Sequence, residues 1–264
     1  MKIIYTSVLG CPRTENNQLV CEKLKDNNNF VDTLKSELKQ TKKLMFITNR
    51  WNTSTPKDQP KDEVFNDYHY TNQEYANAVK KCYALSGIEF DEMVVVDSEY
   101  NGDFRQDLLS SDLVFVQSGH TPRGLKILKD LRFEYYIKDF KGILLLTGTA
   151  TKLPASKVLS THHGNIKEYE IEKGLCLKNY SIRPYFSYSL KDRFDKKFKV
   201  KVYLLKEFSK ATDVFAIGGE SYMIDNNINI QIYGDCWHIK NGKIKKVCQK
   251  GLKKTINFDK ALER

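Results

Sequence analysis

The sequence contains no apolar run near the ~20 residues that a membrane-crossing helix requires; its longest runs resemble Ile143-Leu144-Leu145-Leu146. The apolar stretch at Met1–Ser7 is too short for a secretory signal and leads into polar Arg13-Thr14-Glu15-Asn16. A cytoplasmic chain without a membrane partner is therefore expected. Six prolines and fourteen glycines in 264 residues exclude a collagen-like or low-complexity polymer. No internal repeat or linker divides the chain, so residues 1–264 are expected to form a single α/β domain. Cysteine is sparse and dispersed. Positions 11, 21, 82, 176, 236 and 248 include no C-x-x-C pair, and only His238, beside Cys236, is close to any of them. That spacing argues against a structural zinc site and predicts reduced, buried thiols in place of disulfides.

Arginine is the scarce cation: eight of the forty-three basic residues are arginine, and the net charge is +10. Sequence-reading nucleic-acid binders favour arginine, whose planar fork matches phosphates and guanine edges. Here lysine is spread along the chain, with dense stretches only at 191–202 and 239–254. No helix-turn-helix, zinc-finger or aromatic RNA-binding pattern accompanies them. A solvated lysine-rich surface accounts for the charge better than a nucleic-acid partner does.

What the chain does contain is an alternation of short β-branched runs with helical patterns, the mark of a parallel sheet with crossover helices. Strands are predicted at Lys2–Ser7, Leu44–Thr48, Glu92–Asp97, Leu113–Gln117 and Gly142–Thr147. Helices are predicted at Phe30–Gln40, Asn72–Leu85 and Pro122–Leu131, with a turn around Phe104–Ser110. Thr71 is the expected N-cap of the second helix, and Pro122 suits a first helical turn. Residues 49–70 read as an exposed loop. From about residue 198 the texture changes to short strands: Phe198–Phe208, Val214–Ile217, Ser221–Ile224, Ile228–Tyr233, Cys236–Lys240 and Lys243–Cys248. Asn241-Gly242 between the last two is a strong hairpin signal, because both residues accept positive φ.

Chemistry in an open parallel sheet belongs at the carboxyl ends of its strands. Two strand ends carry loops of small or polar residues, Gln117-Ser118-Gly119-His120-Thr121 and Thr147-Gly148-Thr149-Ala150-Thr151-Lys152. The second has the form of a strand, a sharp turn and a helix, and its backbone N–H groups could converge with that of Gly119 on one oxyanion.

These segments resemble the peptidase E (aspartyl dipeptidase) and cyanophycinase family of serine peptidases, which has the class I glutamine amidotransferase-like, flavodoxin-like fold. The family's G-G-G-N-T loop matches 117–121, with one glycine and the threonine kept. Its G-x-S-A-G elbow matches Thr147-Gly148-Thr149-Ala150-Thr151. Lys173-Gly174-Leu175 is similar to the family's G-L-G-L segment, and Arg183-Pro184-Tyr185-Phe186 falls where the family has D-x-H-F with its catalytic histidine. Ile217-Gly218-Gly219-Glu220-Ser221 resembles the G-I-x-E-x-T run. The resemblance spans most of the chain. It implies a three-layer α/β/α, mostly parallel sheet with C-terminal antiparallel hairpins. It also implies a serine-type hydrolase of small peptide or acyl substrates, with Thr149 and Tyr185 at the nucleophile and base positions. Gly119 and Ala150 would donate to the oxyanion, and His120 and Glu220 would line the pocket.

The departures are chemical. Thr149 stands where the family has serine, and its extra methyl crowds an elbow built around small residues. Thr147 and Thr151 replace both glycines. Tyr185 replaces the histidine, and a tyrosine of ordinary pKa ~10 is a poor general base at neutral pH. Shifting the register by one residue places Ala150 at the nucleophile position and removes the chemistry. Lys152, three residues after Thr149, is a second candidate for activating its hydroxyl, although a first-turn lysine ordinarily extends to solvent. His162 and His163 are further candidates, and the acidic member is left open among Glu168, Glu170 and Glu172. Two functions follow: a peptidase E-like hydrolase, or a catalytically inactive relative whose pocket binds a ligand or partner. No metal constellation, phosphate loop or dinucleotide fingerprint is present, so no cofactor is expected. A homodimer stays open as an assembly.

Overall fold

Strands that are apolar along most of their length must be covered on both faces, and such strands build the middle of this fold. The computed structural model describes residues 1–10, 12–16, 18–48, 70–161, 169–188 and 196–258. In chain order its first half contains β1 (Lys2–Thr6), β2 (Arg13–Glu15), β3 (Gln18–Val20), α1 (Phe30–Glu37), β4 (Lys43–Ile47), α2 (Asn72–Leu85), β5 (Glu92–Val96), α3 (Phe104–Ser110), β6 (Leu113–Val116), α4 (Thr121–Asp130), α5 (Phe133–Tyr136) and β7 (Ile143–Thr147). The second half contains β8 (Lys157–Thr161), β9 (Tyr169–Lys173), β10 (Tyr180–Arg183), α6 (Lys196–Phe208), β11 (Asp213–Ile217), β12 (Tyr222–Asp225), β13 (Asn229–Tyr233), β14 (Cys236–Lys240), β15 (Lys243–Cys248) and β16 (Lys253–Asn257).

The main sheet has the order β16-β13-β12-β1-β7-β6-β4-β5. Its five strands from β1 to β5 are parallel, and β12, β13 and β16 extend it antiparallel beyond β1. Alternation along each strand sends successive side chains to opposite faces. Ile3, Met45, Val114 and Leu144 meet α3, α4 and α5 on one face. Ile4, Leu44, Phe115 and Leu145 meet α1 and α2 on the other. The result is the expected three-layer α/β/α arrangement. The predicted N-cap of α2 is a full capping box: Thr71 Oγ1 accepts from Glu74 N–H at 3.2 Å, and Thr71 N–H donates to Glu74 Oε2 at 2.6 Å. Such a cap contributes about 1 kcal/mol.

The C-terminal strands divide between two sheets. The hairpin β14–β15 turns through Asn241 and Gly242, both at positive φ, and joins β10 and β11 in a second, four-stranded sheet. A third cluster, including Val202, Leu205, Phe208, Val214, Trp237 and Ile239, seals α6 onto it.

Four expectations are corrected. The predicted strand Phe198–Phe208 is helix α6, because Val202, Leu205 and Phe208 recur every third residue and bury one helical face. The turn after β7 does not open a helix. It is a five-residue 3-10 turn, Gly148–Lys152, and Pro154 just beyond it lacks the N–H needed to extend a helix. Cys176 is exposed and Cys21 half-buried, in place of the expected burial, although Cys82, Cys236 and Cys248 are buried thiols. Lys152 is buried at 8% exposure, not extended to solvent. The predicted loop 49–70 lies outside the described residues except for Tyr70. Among the described residues no helix is long and apolar enough to cross a membrane.

Candidate functional site

Two connections that leave a parallel sheet in opposite directions open a crevice between their strands. β4 leads to β5 on one side and β6 leads to β7 on the other, so the crevice lies outside the carboxyl ends of β4 and β6. Thr48, after β4, donates its hydroxyl to Gln117 Oε1 at 2.9 Å, tying the two strand ends together. Beyond Gln117 the loop passes Ser118 and Gly119 into α4, with His120 at the N-cap position and Pro122 in the first turn.

The next strand delivers the turn. After Thr147 the chain passes through Gly148 at φ +51. A Cβ at this residue would lie 2.4 Å from Ser118 Oγ and 3.1 Å from Tyr185 Oη, so the apex admits only glycine. Thr149 follows, half-buried. Its main-chain N–H donates to Ser118 Oγ at 3.1 Å. Its hydroxyl oxygen accepts from Gly119 N–H at 3.0 Å, and the hydroxyl donates to the Gly119 carbonyl oxygen. Ser118 Oγ also lies 3.2 Å from Thr149 Oγ1. These contacts clamp the β6–α4 loop against the turn, each worth about 1 kcal/mol net.

Tyr185 borders the same place. Its side chain is exposed, its φ is +54, and its N–H donates to the buried Ser7 Oγ at 3.1 Å. The Ser7 hydroxyl in turn donates to the Gly218 carbonyl at 2.8 Å, so the end of β1 fixes both the 184–186 loop and the 218–221 loop. Partial burial pushes the Tyr185 phenol above its ordinary 10, and it stays protonated at neutral pH. Of the residues singled out from sequence, the structure thus brings Gly119 and Thr149 into contact and sets Tyr185 beside their turn. Ala150 is buried within it.

Glu220 faces a different hollow, of about 240 Å³, lined also by Gly218, Asp235 and Trp237. It is exposed and paired with Lys250 at 2.9 Å, and that contact lowers its pKa. Glu172 accepts a hydrogen bond from the Ser160 hydroxyl, and Glu170 is exposed on β9. His162, His163 and Glu168 lie outside the described residues.

Two basic side chains complete the neighbourhood. Lys152 ends the turn and donates from Nζ to the Leu159 carbonyl at 3.2 Å. Burial, and secondly the charge of Arg183, lower its pKa from an ordinary 10.5 to about 7. Arg183 ends β10, which packs on the turn, and burial lowers its pKa too. The sequence reading gave no role to Ser118 or Arg183. Arg183 carried one usable signal: a lone cation closing the uncharged strand segment Tyr180-Ser181-Ile182.

No family model and no curated protein matches the chain. Solved structures do. A peptidase from an acI-B1 Actinobacterium superposes with a TM-score of 0.63 at 11% identity, covering 97% of this chain and 96% of that one. A putative peptidase E protein from Listeria monocytogenes EGD-e superposes with a TM-score of 0.52 at 15% identity, covering 94% and 98%. At such identities the likeness is one of fold, and it extends over nearly the whole chain.

Proposed function

We propose that this chain is a peptidase-fold protein without acyl-transfer chemistry, which keeps the crevice beside Thr149 as a binding site for a small ligand. The hydrogen-bonding of Thr149 Oγ1 carries this reading. A nucleophile needs its hydroxyl proton directed at a base and separate N–H donors aimed at the developing oxyanion. Here the hydroxyl is spent on the Gly119 carbonyl, and the Gly119 N–H points at the hydroxyl itself. The turn supports the same reading. In a nucleophile elbow the reactive side chain sits on the strained apex residue, and the apex here is Gly148, which has none. Tyr185, protonated and exposed, cannot take the proton.

The test is turnover on a panel of small peptides, including dipeptides with an acidic first residue, for the wild type and Thr149→Ala. Equal background rates are expected from both. Hydrolysis by the wild type that disappears in Thr149→Ala would overturn the reading in favour of a peptidase E-like hydrolase.

A further inference from the structure

We infer that Lys152 and Arg183 form the receptor for a doubly charged phosphoryl group, free or carried on a small molecule; this rests on the reading of the crevice as a ligand site and names the ligand. Lys152 is 8% exposed, and among the described residues its ammonium has one partner, the Leu159 carbonyl, leaving two of its three donors unused. Arg183 is half-buried and has no hydrogen bond or ion pair to a described residue, leaving five N–H donors unassigned. Buried charges are ordinarily paired, and the chain shows that practice elsewhere: buried Asp225 is matched by Lys178 at 2.6 Å. Among the described residues the one charge that acts on Lys152 is a second cation, and no carboxylate of a described residue offsets the burial of Arg183.

Two like charges held together in a region of low dielectric repel each other, and a dianion is the simplest species that neutralises both. A tetrahedral phosphoryl group also offers enough acceptor oxygens for an ammonium and a planar guanidinium at once. The place is suited to it. Lys152 closes the turn that carries Gly148 and Thr149, and Arg183 stands two residues before Tyr185. Half-buried Arg183 keeps contact with solvent.

The experiment is calorimetric titration of the whole chain with sodium phosphate, with sodium chloride of equal ionic strength as the blank. Saturable binding is expected, weakened about tenfold or more in Lys152→Met and in Arg183→Met, the loss of one charge-assisted contact. Lys152→Met removes a buried charge and should fold at least as well as the wild type; Arg183→Lys provides a second variant that retains the charge and should bind better than Arg183→Met. Repeating the titration with glycerol phosphate identifies the source: tighter binding than phosphate assigns the site to a carried group, equal binding to the free ion. No saturable heat with either probe, or affinities unchanged in both methionine variants, overturns the proposal. That failure is separate from failure of the non-catalytic reading, which the peptide turnover test decides by itself.

Discussion

Replacing Gly148 by alanine is the sharpest perturbation of the turn. The residue lies at φ +51, where a side chain costs about 1–2 kcal/mol through the clash of Cβ with the backbone. The added methyl also meets Ser118 Oγ at 2.4 Å, far inside van der Waals contact. Ser118 cannot move freely, because its oxygen accepts the Thr149 N–H at 3.1 Å. Displacing it forfeits one or two hydrogen bonds at about 1 kcal/mol each. The sum is about 2–4 kcal/mol, equivalent to a fall in Tm of roughly 5–15 °C for a chain of this size. Urea denaturation followed by far-ultraviolet circular dichroism reads it as a lower midpoint at unchanged slope. Adding Ser118→Gly to the alanine variant should recover the steric share, so the two changes are expected to couple by about 1 kcal/mol or more. A Gly148→Ala protein within about 0.5 kcal/mol of the wild type, the range of an inconsequential substitution, would refute the left-handed apex and its contact with Ser118.

Two further outcomes follow from buried charge. The folded protein holds Lys152 near 7 while the unfolded chain holds it near 10.5, so between those values the unfolded state binds the extra proton and the stability due to this side chain rises with pH. In phosphate-free buffer Lys152→Met should be more stable than the wild type at pH 7 and below, with the gap closing toward pH 10; a gap independent of pH contradicts the burial of the amine. Asp225 is fully buried and accepts from Lys178, Tyr180 and the Asn227 N–H. Asp225→Ala removes the carboxylate from Lys178, leaving it the Asn227 Oδ1 contact at 2.7 Å, and should cost about 3–5 kcal/mol, roughly 6–20 °C in Tm; a thermal melt within 2 °C of the wild type (below the shift expected for about 1 kcal/mol) would show that the pair is dispensable.

The parallel core was legible because physics leaves little choice for a segment such as Ile143-Leu144-Leu145-Leu146 between turn residues: covered on both faces, it must be a central strand. Thr71 with Glu74, and Asn241 with Gly242, were equally plain, since local hydrogen bonding and positive φ set them without tertiary help. Helix α6 was not. From Phe198 to Val202 its apolar and lysine residues alternate with period two, and Val200 and Val202 favour strands. Only packing separates them, leaving Val200 42% exposed and burying Val202 to 9%. The turn was legible in place but not in register, because Thr147-Gly148-Thr149 does not say which residue occupies the apex; the nearness of Ser118 and Tyr185 decides it, and both arrive from distant segments. The burial of Lys152 was invisible for the same reason. It depends on β8 and β10 closing over the turn.

The central claim, that Thr149 is a clamp and not a nucleophile, is tested most directly by mass spectrometry after treatment with a fluorophosphonate, which captures an activated hydroxyl irreversibly. The account predicts an intact mass with no adduct on Thr149. A stoichiometric phosphonyl adduct mapped to Thr149, and absent from Thr149→Ala, would contradict it.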